Sequence, residues 1–326
     1  MNTLIDKFGR EIRYLRISVT DRCDLRCVYC MSEKMTFLPK ADLLTLEELA
    51  EIAHRFIDFG VEKIRISGGE PLVRKDVMEL FAEISPRLNN GLSELTLTTN
   101  GTQLDKHADR LASLGVRRIN LSLDSLNEAT FTKLARRNVL PQVLNGIQAA
   151  KEAGIDVKLN TVLLPENLDE IPNMMRWAHA QGFDMSLIEI MPMGQTDAQR
   201  RDQFVPMSRA KERLEEQFTL KPLITSTRLS GPARYSFIPE TGGKLGFISP
   251  LTNNFCAGCN RVRLTCTGRI YMCLGQDDHI DLRQTLRSGG SLDEDIARAV
   301  NLKPEAHDFT ISDKPSVNRH MSVTGG

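Results

Sequence analysis

Leu15-Arg16-Ile17-Ser18-Val19-Thr20-Asp21-Arg22-Cys23 is the stretch on which the fold turns. Its first six residues alternate apolar and polar, the period of a β-strand whose two faces meet different surroundings. Four further stretches repeat the pattern. Ile64 and Ile66 alternate with Lys63, Arg65 and Ser67, and Leu95 and Leu97 with Thr96, Thr98 and Asn100. Ile119, Leu121 and Leu123 alternate with Asn120, Ser122 and Asp124, and Val157 and Leu159 with Lys158 and Asn160. Parallel strands covered on both faces read instead as continuous apolar runs. Five strands with one polar face fit helices packed on the apolar side around a polar interior. An open sheet with one face in water gives the same alternation, but it crowds the intervening helices onto one side. An ordinary closed barrel fills its interior with Val, Ile and Leu. A lumen lined by Arg16, Arg65 and Lys158 suits a large anionic ligand.

Strand-like segments at 12–19, 62–67, 94–99, 117–123, 155–163 and 184–191 alternate with helix-like ones. The clearest helix starts at Thr45, which forms a capping box with Glu48. Leu46, Leu49, Ala53, Phe56 and Ile57 then share one apolar face. Residues 75–84, 104–114, 127–152 (as two helices) and 167–180 supply the others. Six βα units suit an α/β fold, either a partial barrel or a doubly wound sheet, and the polar strand faces favour a partial (βα)6 barrel of the TIM type over residues 1–195. From Gln195 the chain turns polar and linker-like. A helix over 207–218 and a hairpin of 233–238 with 244–249 about Thr241-Gly242-Gly243 follow, within a C-terminal extension, 196–326.

Forty-two basic and 42 acidic residues cancel, so no global nucleic-acid-binding charge is present. No apolar run reaches the roughly 20 residues of a membrane helix. The N-terminal residues lack the apolar centre of a signal peptide. The expected location is the cytoplasm, where clustered cysteines point to metal or catalysis before disulfides. Of seven cysteines, three lie at 23, 27 and 30, three more are Cys256, Cys259 and Cys273, and Cys266 falls outside both groups.

Cys23-x3-Cys27-x2-Cys30 follows the first strand directly, on the C-terminal face of the sheet where α/β enzymes place their active sites. Three thiolates in one tight loop can grip three corners of an iron–sulfur cube and leave one iron open. A structural zinc site asks for four closed ligands, and no fourth Cys or His is nearby. Spacing alone leaves cube and zinc both open. Cys256-x2-Cys259-x13-Cys273 offers a second set of three.

The first loop, with Tyr29 before its last Cys, resembles the signature of the radical S-adenosylmethionine family. Gly68-Gly69-Glu70-Pro71 after the second strand resembles that family's second motif. Cys256-Ala257-Gly258-Cys259-Asn260-Arg261-Val262-Arg263-Leu264 and the terminal Gly325-Gly326 are similar to the GTP 3′,8-cyclases within it, enzymes of molybdenum cofactor biosynthesis. The resemblance runs nearly the whole chain and implies two 4Fe–4S clusters, on Cys23, Cys27 and Cys30 and on Cys256, Cys259 and Cys273. It implies S-adenosylmethionine contacts at Tyr29, Gly69, Ser122 and Met191. It implies GTP contacts at Arg16, Arg65, Thr98, Lys158, Arg261, Val262 and Arg263, with the Gly325-Gly326 tail reaching the active site. Implied partners are a low-potential electron donor such as flavodoxin or ferredoxin, and cyclic pyranopterin monophosphate synthase as the next enzyme, in a monomer or homodimer. One position departs: many relatives carry Arg where this chain has Ser186. Two rival readings stand beside it, a peptide-modifying radical enzyme with auxiliary clusters and a zinc-stabilised binding protein.

Overall fold

The structure is a computed structural model that describes residues 3–224, 229, 231–312 and 314–325 of the 326. Six strands form its centre, namely β1 (Tyr14–Ser18), β2 (Lys63–Ser67), β3 (Glu94–Thr99), β4 (Arg118–Ser122), β5 (Asp156–Val162) and β6 (Asp184–Ile188). They are parallel and adjacent in chain order. Between them run α1 (Leu46–Asp58), α2 (Val77–Ile84), α3 (Ala108–Ser113), α4 (Glu128–Ala135), α5 (Leu140–Glu152) and α6 (Ile171–Ala180). This is the expected α/β alternation.

Local chemistry sets the boundaries. Thr45 Oγ1 accepts the Glu48 amide at 3.1 Å while Glu48 Oε2 accepts the Thr45 amide at 2.8 Å, so the capping box forms. Residues 127–152 divide into two helices because Arg136 turns left-handed (φ 55°) and Pro141 can enter only a first turn. The apolar residues of the alternation, Leu15, Ile17, Ile64, Ile66, Leu97, Leu121 and Leu159, are fully buried in one cluster with Phe56, Phe81 and Met175 of the helices.

The extension contributes α7 (Arg200–Gln203), α8 (Met207–Glu215), β7 (Lys221–Leu223), β8 (Arg234–Ile238), β9 (Gly243–Ile248), β10 (Arg261–Leu264), β11 (Arg269–Tyr271), β12 (His279–Asp281), α9 (Leu282–Ser288), α10 (Leu292–Asn301) and α11 (Met321–Thr324). The hairpin of β8 and β9 forms as expected. Unforeseen is where it docks. β9 adds parallel to β6, and β10 adds parallel to β1, so extension strands flank both edges of the six-stranded centre. Among the described residues twelve strands then run in the order β12-β11-β10-β1-β2-β3-β4-β5-β6-β9-β8-β7. Glu189, fully buried just beyond β6, holds part of this junction. Its carboxylate accepts the amides of Met207 (3.0 Å), Leu251 (3.2 Å) and Thr252 (3.2 Å).

Candidate active site

Parallel register converts the strand alternation into rows of charge. Arg263, Arg16 and Arg65 are direct neighbours across β10, β1 and β2. One step back along the strands, Arg261, Tyr14, Lys63 and Glu94 form a second row. Lys158 on β5 and Arg118 on β4 face the same cavity of about 430 Å³. Its wall includes Cys256, Cys259 and Cys273, together with Met191, Tyr235, Phe255, His307 and Phe309.

The cavity is short of negative charge. Lys63 and Arg118 pair with Glu94, at 2.6 and 2.7 Å. Among the described residues no carboxylate pairs with Arg65, Arg261, Arg263 or Lys158, and the Nε atoms of the three arginines are buried without a hydrogen-bond partner. Burial, with Arg65 and Arg118 beside it, brings Lys158 down to about 7. Burial together with Arg16 and Arg261 brings Arg263 down to about 9. Tyr14 moves the other way from its surroundings: burial would raise it, yet Arg16, Arg65, Lys63 and Arg261 hold it at about 7. Arg16 Nε donates to its hydroxyl at 3.2 Å, and the guanidinium carbons of Arg16, Arg65 and Arg261 lie 5.4–5.8 Å from its ring centre. Buried cations in this number, with few carboxylates among them, make a receptor for a polyanion.

The first cysteine loop leaves the C-terminal end of β1. It is tied to α4 by the Arg26 amide on Ala135 O (3.0 Å) and the Val28 amide on Leu134 O (2.9 Å). Burial and mutual repulsion, with Asp124 and Glu70 nearby, push the Cys27 and Cys23 thiols well up, and burial brings Cys30 to about 11. These thiols therefore ionise only against a bound cation. The second set is different. Burial raises Cys256, but at Cys259 Lys303 and Arg261 outweigh burial and bring the thiol down to about 6. Among the described residues no three His, Cys, Asp or Glu side chains converge as ligands of one metal ion. A four-iron cube asks for less convergence, because its thiolates bind separate irons. Two sets of three thiols, Cys256 buried and the other five half-buried, fit such cubes.

Gly69 carries the backbone of its motif against the cysteine loop: its amide donates to Thr20 O at 2.8 Å, and a Cβ there would stand 2.3 Å from Arg22 O. Glu70, fully buried and brought up to about 7 by that burial, accepts the Leu72 and Asn100 amides and the Thr99 hydroxyl, at 3.0, 2.6 and 2.8 Å. Tyr29 donates its hydroxyl to Asp124 at 2.7 Å. Ser122 lies opposite Asn160 at the C-terminal end of β4. At the same end Gly325 (φ 78°) lies so close to Ser67 that a Cβ would be 1.9 Å from its hydroxyl. Gly326 lies outside the described residues.

Arg16, Arg65, Lys158, Arg261, Arg263 and Met191 thus meet in one cavity. Thr98 shares a face with Asn120 of that cavity, its buried hydroxyl unpartnered among the described residues. The Val262 side chain is not brought there. Alternation turns it away from Arg261 and Arg263 into the apolar core, where it is fully buried. At Ser186, strand pairing places Gly246 opposite, and Tyr235 packs against both. The Tyr235 hydroxyl meets Lys158 Nζ, and its ring centre is 4.8 Å from that ammonium. A tyrosine thus borders the space beside the missing arginine. Sequence reasoning missed Tyr14, which reads as apolar, and passed over Lys63 although it sits on the polar face. It also missed His307. The Phe309 amide donates to His307 Nδ1 at 3.3 Å, so the neutral ring carries its proton on Nε2, which is buried and unpartnered among the described residues.

Comparison with known proteins agrees with this geometry. Residues 17–178 match the Radical SAM superfamily model and residues 183–309 match Molybdenum Cofactor Synthesis C. A GTP 3′,8-cyclase of Bradyrhizobium diazoefficiens is 57% identical, covering 100% of this chain and 96% of its own length. That of Erythrobacter litoralis is 54% identical over 99% of this chain and 98% of its own. The Streptococcus suis SuiB structure bound to S-adenosylmethionine superposes with a TM-score of 0.62 at 14% identity, over 97% of this chain and 79% of that one. At that identity it speaks for the fold alone. No helix among the described residues is long and apolar enough to cross a membrane.

Proposed function

This chain belongs to the GTP 3′,8-cyclase family of radical S-adenosylmethionine enzymes, and from that premise we propose how its lumen serves the first step of molybdenum cofactor biosynthesis. The substrate is GTP, cyclised to (8S)-3′,8-cyclo-7,8-dihydroguanosine 5′-triphosphate. Bound at Cys23, Cys27 and Cys30, a 4Fe–4S cluster with S-adenosylmethionine supplies the 5′-deoxyadenosyl radical that removes the ribose C3′ hydrogen. Everything else falls to the chain's own residues. Arg16, Arg65, Lys158, Arg261 and Arg263 hold the triphosphate, as guanidinium forks pair with phosphate oxygens. Thr98 contributes its unpartnered hydroxyl. Gly69 brings backbone close to the methionine end of the cofactor, with Tyr29, Ser122 and Met191 around it. Cys256, Cys259 and Cys273 hold the second cluster at the base end of the cavity. There Phe255, His307 and Phe309 form an aromatic wall, and the His307 Nε2–H is a donor suited to the acceptor edge of guanine, O6 and N7. Fixing both ends of the nucleotide orients C3′ toward the radical source.

The observation that carries this reading is the row Arg263–Arg16–Arg65, its outer two members buried and, among the described residues, paired with no carboxylate, in a cavity whose wall includes Cys256, Cys259 and Cys273. The rival peptide-modifying reading gives that row nothing to bind, and the zinc reading leaves the cavity without a purpose. The protein works in the cytoplasm, as a monomer or homodimer, with a low-potential donor such as flavodoxin or ferredoxin, and its product passes to cyclic pyranopterin monophosphate synthase. The deciding experiment is anaerobic incubation with GTP, S-adenosylmethionine and a reductant. 5′-Deoxyadenosine should form when GTP is present and fall to background with GTP withheld. Equal amounts with and without GTP would reject the assignment of substrate.

A further inference from the structure

Lys303 is 2% exposed, among the largest fully buried side chains of the protein. Its ammonium has three donors, and each finds a partner. Nζ lies 2.9 Å from Arg261 O, 2.7 Å from Met272 O and 3.5 Å from Cys259 Sγ. One carbonyl belongs to the strand that follows Cys259, the other to the residue before Cys273. A single side chain therefore ties the backbone just after Cys259 to the backbone just before Cys273. The segment carrying it is itself clamped. Arg10, paired with Asp6 at 2.6 Å, donates to Glu305 O (2.8 Å) and Pro304 O (2.5 Å), and to Cys256 O (3.0 Å), which carries the third thiol.

Charge decides what this arrangement is for. A buried ammonium is costly unless an anion stands beside it. Among the described residues no carboxylate pairs with Lys303, and two of its partners are neutral carbonyls. The remaining partner is the Cys259 sulfur. A tie made only for packing would be served by an apolar side chain, without the desolvation cost.

We propose that Lys303 is a positioning residue for the second iron–sulfur cluster, which holds the Cys259 and Cys273 backbones in register and, by its N–H on the Cys259 sulfur, raises that cluster's reduction potential. This rests on the reading above that Cys256, Cys259 and Cys273 carry a cluster. A positive charge and a hydrogen bond at a ligating sulfur favour the more negative, reduced state of the cluster, so the potential rises. Among the levers a protein has on such a centre, this one requires no contact with substrate.

The test uses the full chain with Cys23, Cys27 and Cys30 all replaced by Ala, so that only the second cluster remains. In this background Lys303→Met removes charge and donor at similar length, and Lys303→Arg keeps both. Iron is counted, and the midpoint potential is measured by anaerobic redox titration followed by electron paramagnetic resonance, without GTP. The parent should hold about four irons. The Met variant should have a more negative midpoint, and the Arg variant should stay near the parent. If Met does not retain iron while Arg does, the positional half of the role is supported and the charge is required for assembly. An unchanged midpoint in a fully loaded Met variant overturns the proposal, as does an Arg variant displaced as far as Met, or loss of iron from both. A parent without iron would instead reject the underlying assignment of the second cluster.

Discussion

Lys158 titrates where the enzyme works. Brought down to about 7 by burial and by Arg65 and Arg118, it is only partly charged in the empty cavity near neutrality. A bound triphosphate favours the ammonium, so its pKa rises on binding and a proton is taken up. Affinity for GTP should therefore fall as pH rises above about 7, by up to about tenfold per unit for one proton. Tyr14, also at about 7, loses its proton in the same window and repels the same phosphates. Equilibrium dialysis at several pH values should show the slope weaken in Lys158→Arg, whose charge is permanent, and vanish when Tyr14→Phe is added. Arg263→Ala should weaken GTP binding by about tenfold to a hundredfold, the loss of a charge-assisted pair, while S-adenosylmethionine binding, measured the same way, holds. At the C-terminal end of β2, Gly325→Ala drives a methyl into Ser67. Product formation should drop on the order of tenfold, about 1.4 kcal/mol, at unchanged iron content, with partial recovery in Ser67→Gly. At this scale the sequence was legible wherever period 2 sorted side chains by face. It put Arg16, Arg65 and Lys158 in one lumen before any coordinates. It was silent on Lys303, because a lone lysine after a helix carries no period and its partners are two carbonyls and a sulfur from distant segments.

Elements divide by the range of the forces that specify them. Capping, helical periodicity and strand alternation act within a few residues, and all six central strands with their helices fell where those signals put them. β10, β11 and β12 are three or four residues each. They exist because β1 offers an unpaired edge, which no local pattern announces. The same holds for β9 beside β6. The Arg261-Val262-Arg263 alternation did mark a strand in retrospect, but its neighbour lies most of the chain away. Glu189 is the price of that long-range junction, a buried carboxylate serving three amides from the loops it joins. Glu189→Ala should leave those amides unsatisfied and cost about 2–4 kcal/mol of stability. Urea denaturation of the cluster-free chain, compared with wild type, checks it. A midpoint within error of wild type would mean that water or backbone shifts satisfy the amides.

For the whole molecule, a formal charge of zero conceals one cationic cavity, where Arg16, Lys63, Arg65, Arg118, Lys158, Arg261 and Arg263 meet Glu94 and Asp184. On the proposed reading each set of three cysteines carries one cluster, so iron content reports on architecture. Fully loaded protein should hold about eight irons, and replacing Cys256, Cys259 and Cys273 with Ala should leave about four; colorimetric iron and sulfide assays distinguish these. Global charge, composition and hydropathy pointed to none of this, since they sum over the chain what the fold separates in space.

The parallel pairing of β1 with β10 has one more consequence. The first cysteine loop departs from the C-terminal end of β1, whereas Cys259 enters β10 at the end that lies beside the start of β1. On the proposed reading the two cysteine sets are the jaws of a caliper whose fixed arm is β1. Five residues at about 3.3 Å each open it to about 16 Å. A nucleotide gripped at its base by one jaw offers its sugar to the other only if its length matches that opening. Lengthening the arm by two residues would keep every side chain on its own face and both metal sites whole, yet carry the sugar out of reach.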